Sequence, residues 1–278
     1  MTPERFFEHL WDDYIRIAPA AGRLHALVAA RGETLVNDHV AFRTFDLDPI
    51  RLERLEPQLL SLGYQRFEPY SFADKHLRAW GYVHPQGHPR IFLSELETRY
   101  FSRALQDIVA GLCAQVPLAA INEPAIFWAG RPWAPVSHST WAALREESEY
   151  AAWVAALGLR PNHFTISVNA LQSFSDLPAL LTFIEGHGFA LNEAGGRIKG
   201  GPEVLLEQAS TLADRVAVEF AGGEHHVIPT CYYEFARRYP AAGGQLYEGF
   251  VAASADRIFE STDSRQPGAA VSTSPAND

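Results

Sequence analysis

The chain has 278 residues, of which 47% are hydrophobic and 20% charged, a composition typical of one large globular domain or two small fused ones. Its formal net charge of −10, without any long run of Lys or Arg, argues against a nucleic-acid partner. No apolar run approaches the roughly 20 residues of a membrane-spanning helix. Cys113 and Cys231 form no CxxC pair, so we expect a reduced, cytoplasmic protein.

Helices are predicted at the N-terminus. Thr2 followed by Pro3 is a favourable helix start, and apolar residues then recur at helical spacing as far as Tyr14. A second helix is predicted over residues 22–31. Both helices precede the first strand, so they are additions to the repeated units that follow.

The stretch NDHVAFRTF, which begins at Asn37, alternates with a period of two and is predicted to be a strand. One of its faces carries His39, Ala41, Arg43 and Phe45. An imidazole and a guanidinium therefore share one face of a predicted core element. A single histidine in such a place is more often a hydrogen-bonded core residue than a ligand.

The chain then repeats a strand–helix–three-strand unit, over about residues 36–96 and again over 160–236. In the second unit the predicted strands are NHFTISVN, FALNE, EVLLEQAS, DRVAVEF and HVIPTCYYEFA, with AGGRIKGGPE as a turn. Identity between the two units is weak, so the repeat is one of topology. We expect a single catalytic domain over residues 1–260 and a disordered tail over 261–278.

Each unit carries a histidine near the start of its first strand. If the units pack face to face, His39 and His163 approach one concave surface. Two histidines and one carboxylate on one face, with open positions, suit an Fe(II) that must bind substrate and O₂. Glu234 is the candidate carboxylate. An ion pair with Arg237 or Arg238 is an alternative that the sequence supports at least as well.

Four motifs, NDHVAFRTF, RPNHFTISVN, CYYEFARRYP and LYEGFVAASADRIFEST, resemble those of the 2-oxoadipate dioxygenase/decarboxylase family. The resemblance implies an α+β, vicinal oxygen chelate-like fold, in which two βαβββ modules form a curved sheet around a central metal site, with additional N-terminal and connecting helices. It implies Fe(II) as cofactor, with His39, His163 and Glu234 as metal ligands. It also implies that Arg43 binds substrate and that Val251 belongs to a late segment closing the substrate pocket.

The activity that the resemblance implies is conversion of 2-oxoadipate and O₂ to 2-hydroxyglutarate and CO₂, a step of lysine degradation with no separate cosubstrate. A 2-oxo acid can chelate Fe(II) through its carboxylate and keto oxygens. Arg43 follows His39 by roughly 13 Å along the strand at about 3.3 Å per residue, so its guanidinium can reach a carboxylate of a bound substrate. A surface salt bridge is the alternative for this arginine.

Two other classes of function stay open from the sequence. One is a non-redox lyase, isomerase or hydrolase of the vicinal oxygen chelate type, which would consume no O₂. The other is a non-catalytic metabolite-binding module. Gln208 is a further candidate for contact with substrate, although a structural amide is the favoured interpretation. The sequence fixes neither the oligomeric state nor the chain length of the 2-oxo acid.

Overall fold

The computed structural model describes residues 1–262. Within this range the chain forms helices and strands in the mixed order expected of an α+β protein. The helices are α1 (Pro3–Ile17), α2 (Pro19–Ala29), α3 (Leu52–Ser61), α4 (Arg103–Cys113), α5 (His138–Glu147), α6 (Glu149–Leu157), α7 (Leu177–Gly186) and α8 (Ala252–Ile258). The strands are β1 (Asn37–Phe45), β2 (Gln65–Phe72), β3 (Leu77–Val83), β4 (Arg90–Leu96), β5 (Pro161–Ser167), β6 (Lys199–Gly201), β7 (Leu206–Ser210), β8 (Arg215–Glu219), β9 (His225–Pro229) and β10 (Tyr232–Arg238).

One curved, mixed sheet organises the molecule, with the strand order β2-β3-β4-β1-β5-β10-β7-β6. β1 pairs in parallel with β4, and β5 pairs in parallel with β10. At the centre, β1 and β5 meet antiparallel. The sheet therefore has two equivalent halves, β1-α3-β2-β3-β4 and β5-α7-β6-β7-β10, with β8 and β9 forming a separate hairpin between β7 and β10.

The two faces of the sheet have different covers. On the outer face, α1 packs aromatic side chains against the central strands: the ring of Trp11 lies 5.2 Å from that of Phe164 and 5.7 Å from that of Tyr233. On the inner face, α8 contacts β2, β6 and β7, and a 3₁₀ turn over Phe259–Thr262 follows it. The inner face between the sheet and this C-terminal segment is where the polar residues of the two halves meet.

The N-terminal helix begins at Pro3 as predicted. Helix α2 begins at Pro19, earlier than the predicted Gly22, because proline is well suited to the first turn of a helix. The stretch REESEYAAWVAALGL has apolar residues at helical spacing, but it spans the end of α5 and all of α6. Ser148 separates them: its side chain accepts a hydrogen bond from the Ala151 backbone N–H, which caps a new helix.

The strand predictions are least accurate in the second half. FALNE contributes one bridge, Leu191 to Thr211, and no strand. The glycine-rich stretch predicted as a turn contributes edge strand β6, where Gly200 has a φ of +76° that favours glycine. The last apolar run is divided into β9 and β10 at Thr230 and Cys231.

The C-terminal boundary also differs from the expectation. Ser261 and Thr262, assigned above to the disordered tail, are buried, and Thr262 Oγ1 accepts a hydrogen bond from Arg43 at 3.1 Å. The rest of that tail lies outside the described residues. Within residues 1–262, no helix combines the length and the apolar character that crossing a bilayer requires.

Candidate metal centre

Three side chains meet on the inner face at the centre of the sheet: His39 from β1, His163 from β5 and Glu234 from β10. His39 Nε2 lies 3.5 Å from Glu234 Oε1, and His163 Nε2 lies 3.2 Å from Glu234 Oε2. One potential ligand atom from each residue lies within 4.8 Å of the other two, and all three residues are buried. The structure thus brings together the three residues that the motifs assign as metal ligands.

The two halves of the sheet contribute unequally to this cluster. The histidines occupy equivalent first strands, but the carboxylate has no counterpart. Glu234 pairs with Thr165 across β10 and β5, and the equivalent pair across β4 and β1 is Phe92 with Ala41. An aromatic ring therefore stands where a fourth ligand would otherwise lie, which keeps one side of the cluster apolar.

The residue before each histidine fixes which ring nitrogen faces the cluster. Asp38 Oδ1 lies 2.8 Å from His39 Nδ1, and Asn162 Oδ1 lies 3.0 Å from His163 Nδ1. Both oxygens are acceptors, so each Nδ1 carries the proton and each Nε2 directs a lone pair toward the carboxylate. The pKa of His163 lies well below its ordinary value, mainly because the residue is buried. That histidine is neutral, the form that binds metals.

Glu234 is a buried carboxylate with an incomplete set of donors. Gln208 Nε2 donates to its Oε1 at 2.6 Å, but Oε2 is buried without a hydrogen-bond partner among residues 1–262. Burial raises the pKa of Glu234. The Thr165 hydroxyl lies 3.0 Å from His39 Nε2. Imidazole lone pairs and an orphaned carboxylate oxygen that face one point are satisfied by a divalent cation, so the residues present fit a metal.

A cavity of about 20 Å³ adjoins the three side chains. It has room for about one water molecule. Apolar residues form most of its walls: Phe92 from β4, Phe250 before α8, and Ala255, Ile258 and Phe259 from the C-terminal segment. These walls keep bulk water away from the cluster, and charges interact more strongly where water is excluded.

Arg43 is buried behind this cavity among aromatic rings. Its guanidinium carbon lies 5.0 Å from the ring of Tyr150 and 5.1 Å from that of Trp153. It donates to Thr262 Oγ1 at 3.1 Å, and its Nη1 lies 3.5 Å from Glu149. Its Nε has no partner within the described part of the chain. The surface salt bridge weighed above is therefore excluded, because the side chain is only 2% exposed.

The ring of Phe259 lies 5.7 Å from the Arg43 guanidinium and also lines the cavity beside the three candidate ligands. Arg43 lines a second cavity of about 390 Å³, and Phe259 is part of the wall of both cavities. Val251, the other substrate-binding candidate, is half-buried at the N-cap of α8, and its neighbour Phe250 lines the smaller cavity. The C-terminal motif therefore does lie over the site, while a substrate contact of Val251 stays a prediction.

Three residues within the motifs support the candidate ligands, although the sequence alone did not reveal this role. Asp38 and Asn162 each precede a histidine directly, and this shared position is the signal that could have found them. The sequence suggested an ion pair between Arg238 and Glu234. Arg238 instead pairs with Asp38, with nitrogen–oxygen distances of 2.7 and 2.8 Å. That pairing joins parts of the chain too distant for a local pattern to reveal.

Comparison with known proteins identifies the family. A family model described as 2-oxoadipate dioxygenase/decarboxylase matches residues 14–247. The chain belongs to the 2-oxoadipate dioxygenase/decarboxylase family. The crystal structure of the Oryza sativa hydroxyglutarate synthase in complex with 2-oxoadipate is 31% identical, with a TM-score of 0.88, and the match covers 94% of this chain and 92% of that chain.

Two further solved structures are similar to this member of the 2-oxoadipate dioxygenase/decarboxylase family. A Shewanella frigidimarina NCIMB 400 protein, provisionally named a hydrolase, is 46% identical with a TM-score of 0.85, and the match covers 90% of this chain and 98% of that one. A glyoxalase-superfamily protein from Ralstonia eutropha JMP134 is 21% identical with a TM-score of 0.74, covering 90% and 86%. The latter shows the fold alone, and it confirms the expected vicinal oxygen chelate-like class.

Proposed function

We propose that this protein is an Fe(II)-dependent dioxygenase that converts 2-oxoadipate and O₂ into 2-hydroxyglutarate and CO₂, within lysine degradation. The observation that carries the proposal is the meeting of His39, His163 and Glu234 at one buried point in a member of this family. The 2-oxoadipate bound to the rice relative supports the substrate. The two products together contain every atom of 2-oxoadipate and O₂. The cytoplasmic location stays a prediction.

His39 Nε2, His163 Nε2 and a carboxylate oxygen of Glu234 would hold the metal. Two imidazoles and one carboxylate with open positions form the donor set of non-haem Fe(II) oxygenases, which favours iron over a cation that prefers oxygen donors alone. When bound there, Fe(II) supplies a binding site for the 2-oxo acid and O₂ and the electrons that activate O₂. The chain fixes the three donor atoms in advance, and Gln208 holds the carboxylate by its 2.6 Å hydrogen bond.

Arg43 is suited to hold a carboxylate of the substrate. Within the described part of the chain, its buried charge is compensated only in part, by one hydroxyl and by Glu149 at 3.5 Å. A substrate carboxylate could accept two parallel hydrogen bonds from its guanidinium, the strongest common arrangement for this pair. This local cation attracts an anionic substrate although the whole chain carries a net charge of −10.

Substrate binding requires a change in the C-terminal segment. 2-Oxoadipate is much larger than a water molecule and does not fit the cavity of about 20 Å³ beside the ligands. Because Phe259 lies between this cavity and that of about 390 Å³, we infer that its displacement joins the two. The same apolar segment then excludes water from the bound substrate.

The proposal is tested by loading the protein anaerobically with Fe(II) and presenting a panel of 2-oxo acids in air-saturated buffer. We expect equimolar consumption of O₂ and 2-oxoadipate, release of CO₂, and 2-hydroxyglutarate that carries label from ¹⁸O₂. Turnover without O₂ consumption would instead establish a non-redox lyase, isomerase or hydrolase. Binding without turnover would establish a metabolite-binding module.

A further inference from the structure

Asp38 is a buried carboxylate that lies directly behind a metal ligand. Its Oδ1 accepts a hydrogen bond from His39 Nδ1 at 2.8 Å. Arg238 grips it with two donors, Nε to Oδ2 at 2.7 Å and Nη2 to Oδ1 at 2.8 Å. Both side chains are only 2% exposed, so this is a buried carboxylate–guanidinium ion pair with two parallel hydrogen bonds. Arg238 therefore holds the Asp38 carboxylate in one orientation.

Arg238 also binds the backbone of the segment that leads to Phe250, a residue in the wall of the cavity. Its Nη1 donates to the carbonyl oxygens of Tyr247 at 2.9 Å and Gly249 at 2.7 Å. Its guanidinium lies 5.5 Å from the ring of Phe250, which in turn meets the His39 ring edge-on at 4.9 Å. One arginine thus fixes both the carboxylate behind His39 and the aromatic wall beside it.

We propose that Asp38 and Arg238 are positioning residues for the metal site. This inference rests on the proposed function, because it concerns how firmly the same site holds its metal. Asp38 fixes the tautomer and orientation of the His39 ring, so that the Nε2 lone pair faces Glu234, and Arg238 fixes Asp38. An anionic partner at Nδ1 also makes a metal-binding imidazole a stronger donor.

The second histidine provides an internal comparison. His163 Nδ1 lies 3.0 Å from Asn162 Oδ1, so its partner is a neutral amide in the equivalent position. The site therefore combines one histidine that has an anionic partner with one that has a neutral partner. Replacing Asp38 with Asn makes the first histidine like the second and nearly preserves side-chain shape. It removes the negative charge together with one acceptor of the Arg238 pair.

The test compares Asp38→Asn and Arg238→Lys with the control Glu56→Gln, all in the full-length protein. Glu56, on α3, accepts hydrogen bonds from Arg66 through both carboxylate oxygens, and α3 contributes no residue to the walls of the cavity beside the candidate ligands. The control thus weakens another two-pronged, more exposed ion pair elsewhere in the fold. Co²⁺ is the probe, since it needs no O₂ chemistry and its absorption spectrum reports its coordination. Two quantities are measured: the Co²⁺ dissociation constant by chelator competition, and the rise in Tm that Co²⁺ causes.

We expect Asp38→Asn to weaken Co²⁺ binding about 10- to 100-fold, equivalent to about 1.4–2.7 kcal/mol. The rise in Tm caused by Co²⁺ shrinks accordingly, because a ligand that binds only the folded state stabilises it by RT ln(1 + [L]/Kd), which falls as Kd rises. Arg238→Lys keeps the charge but loses the two-pronged grip, so it weakens binding by a smaller factor that still exceeds about threefold. Glu56→Gln lowers Tm without changing Co²⁺ affinity.

Affinities within about threefold of wild type in both Asp38→Asn and Arg238→Lys would overturn the inference, whatever their Tm, because the pair would then be purely structural. Should Asp38→Asn not fold, Arg238→Lys decides by the same threshold. Co²⁺ binding is independent of turnover. A wild-type protein that binds Co²⁺ but does not oxidise 2-oxoadipate after Fe(II) loading refutes the proposed function and leaves this inference standing.

Discussion

Replacing Arg43 with Gln removes the cation that we assign to the substrate carboxylate. Loss of one partner from a buried, hydrogen-bonded charge pair costs about 2–5 kcal/mol of binding. Arg43 is 2% exposed, so solvent cannot replace it. We therefore expect kcat/KM for 2-oxoadipate to fall about 100- to 1,000-fold, near the middle of that range.

The same substitution has a different expected effect on stability. Among residues 1–262, the polar partners of the Arg43 charge are Thr262 and the more distant Glu149. Removing it relieves desolvation of a partly compensated cation but loses contacts with the rings of Tyr150 and Trp153. Cation–π contacts are worth about 0.5–2 kcal/mol, so these effects nearly cancel, and we expect the free energy of unfolding to change by less than about 1 kcal/mol.

The assays are steady-state O₂ uptake, urea unfolding of the metal-free protein and Fe(II) binding, with Arg43→Lys as the matched control. Lysine keeps the charge but not the fork, so we expect a smaller loss of kcat/KM than with glutamine. Fe(II) affinity should be unchanged in both variants. A large loss of stability with an unchanged kcat/KM would show that Arg43 serves the fold rather than the substrate.

Three further predictions concern neighbouring groups. Glu234→Gln should weaken Fe(II) binding by more than about 100-fold in an anaerobic titration. It should not lower the stability of the metal-free protein, because it removes a carboxylate whose pKa is raised by burial. A lower stability with intact Fe(II) binding would contradict this prediction. Phe259→Ala should join the two cavities and raise kcat/KM for bulkier 2-oxo acids relative to 2-oxoadipate, at a cost of about 3–5 kcal/mol in urea unfolding. An unchanged preference would refute its role as the partition. Burial lowers the pKa of Lys199 to about 8, so the folded state binds fewer protons than the unfolded state above that pH, and stability should rise between pH 7 and 9. After allowance for solvent screening the rise is no more than about 1 kcal/mol, and it should be absent in Lys199→Met, which thermal unfolding at the two pH values checks.

The two candidate histidine ligands could be predicted from sequence because each lies on a strand whose alternation is clear. In β1 the period-two pattern places His39 and Arg43 on one face, and both are buried on the inner face of the observed sheet. The strand is central in the sheet, so its pattern is not distorted by an edge. The carboxylate could not be chosen in this way, since Glu234 was equally compatible with an ion pair, and the family motifs made the assignment.

The less predictable features depend on contacts between distant parts of the chain. Arg238 meets Asp38 across 200 positions of sequence, and Thr262 meets Arg43 across 219. Strand β6 has only the residues Lys199–Gly201, too short for alternation to be recognised. Phe259 is an ordinary apolar residue in the sequence, and only the packing of the C-terminal segment brings it into the walls of two cavities.

Anaerobic titration with Fe(II) of the wild-type protein and of His163→Ala, each shown to be folded by its Tm, tests most directly whether two histidines and a glutamate hold one cation. We expect saturation at one Fe(II) per wild-type chain and no stoichiometric binding by the variant. Saturable binding of equal affinity in both proteins, or none in the wild type, would contradict the proposed centre.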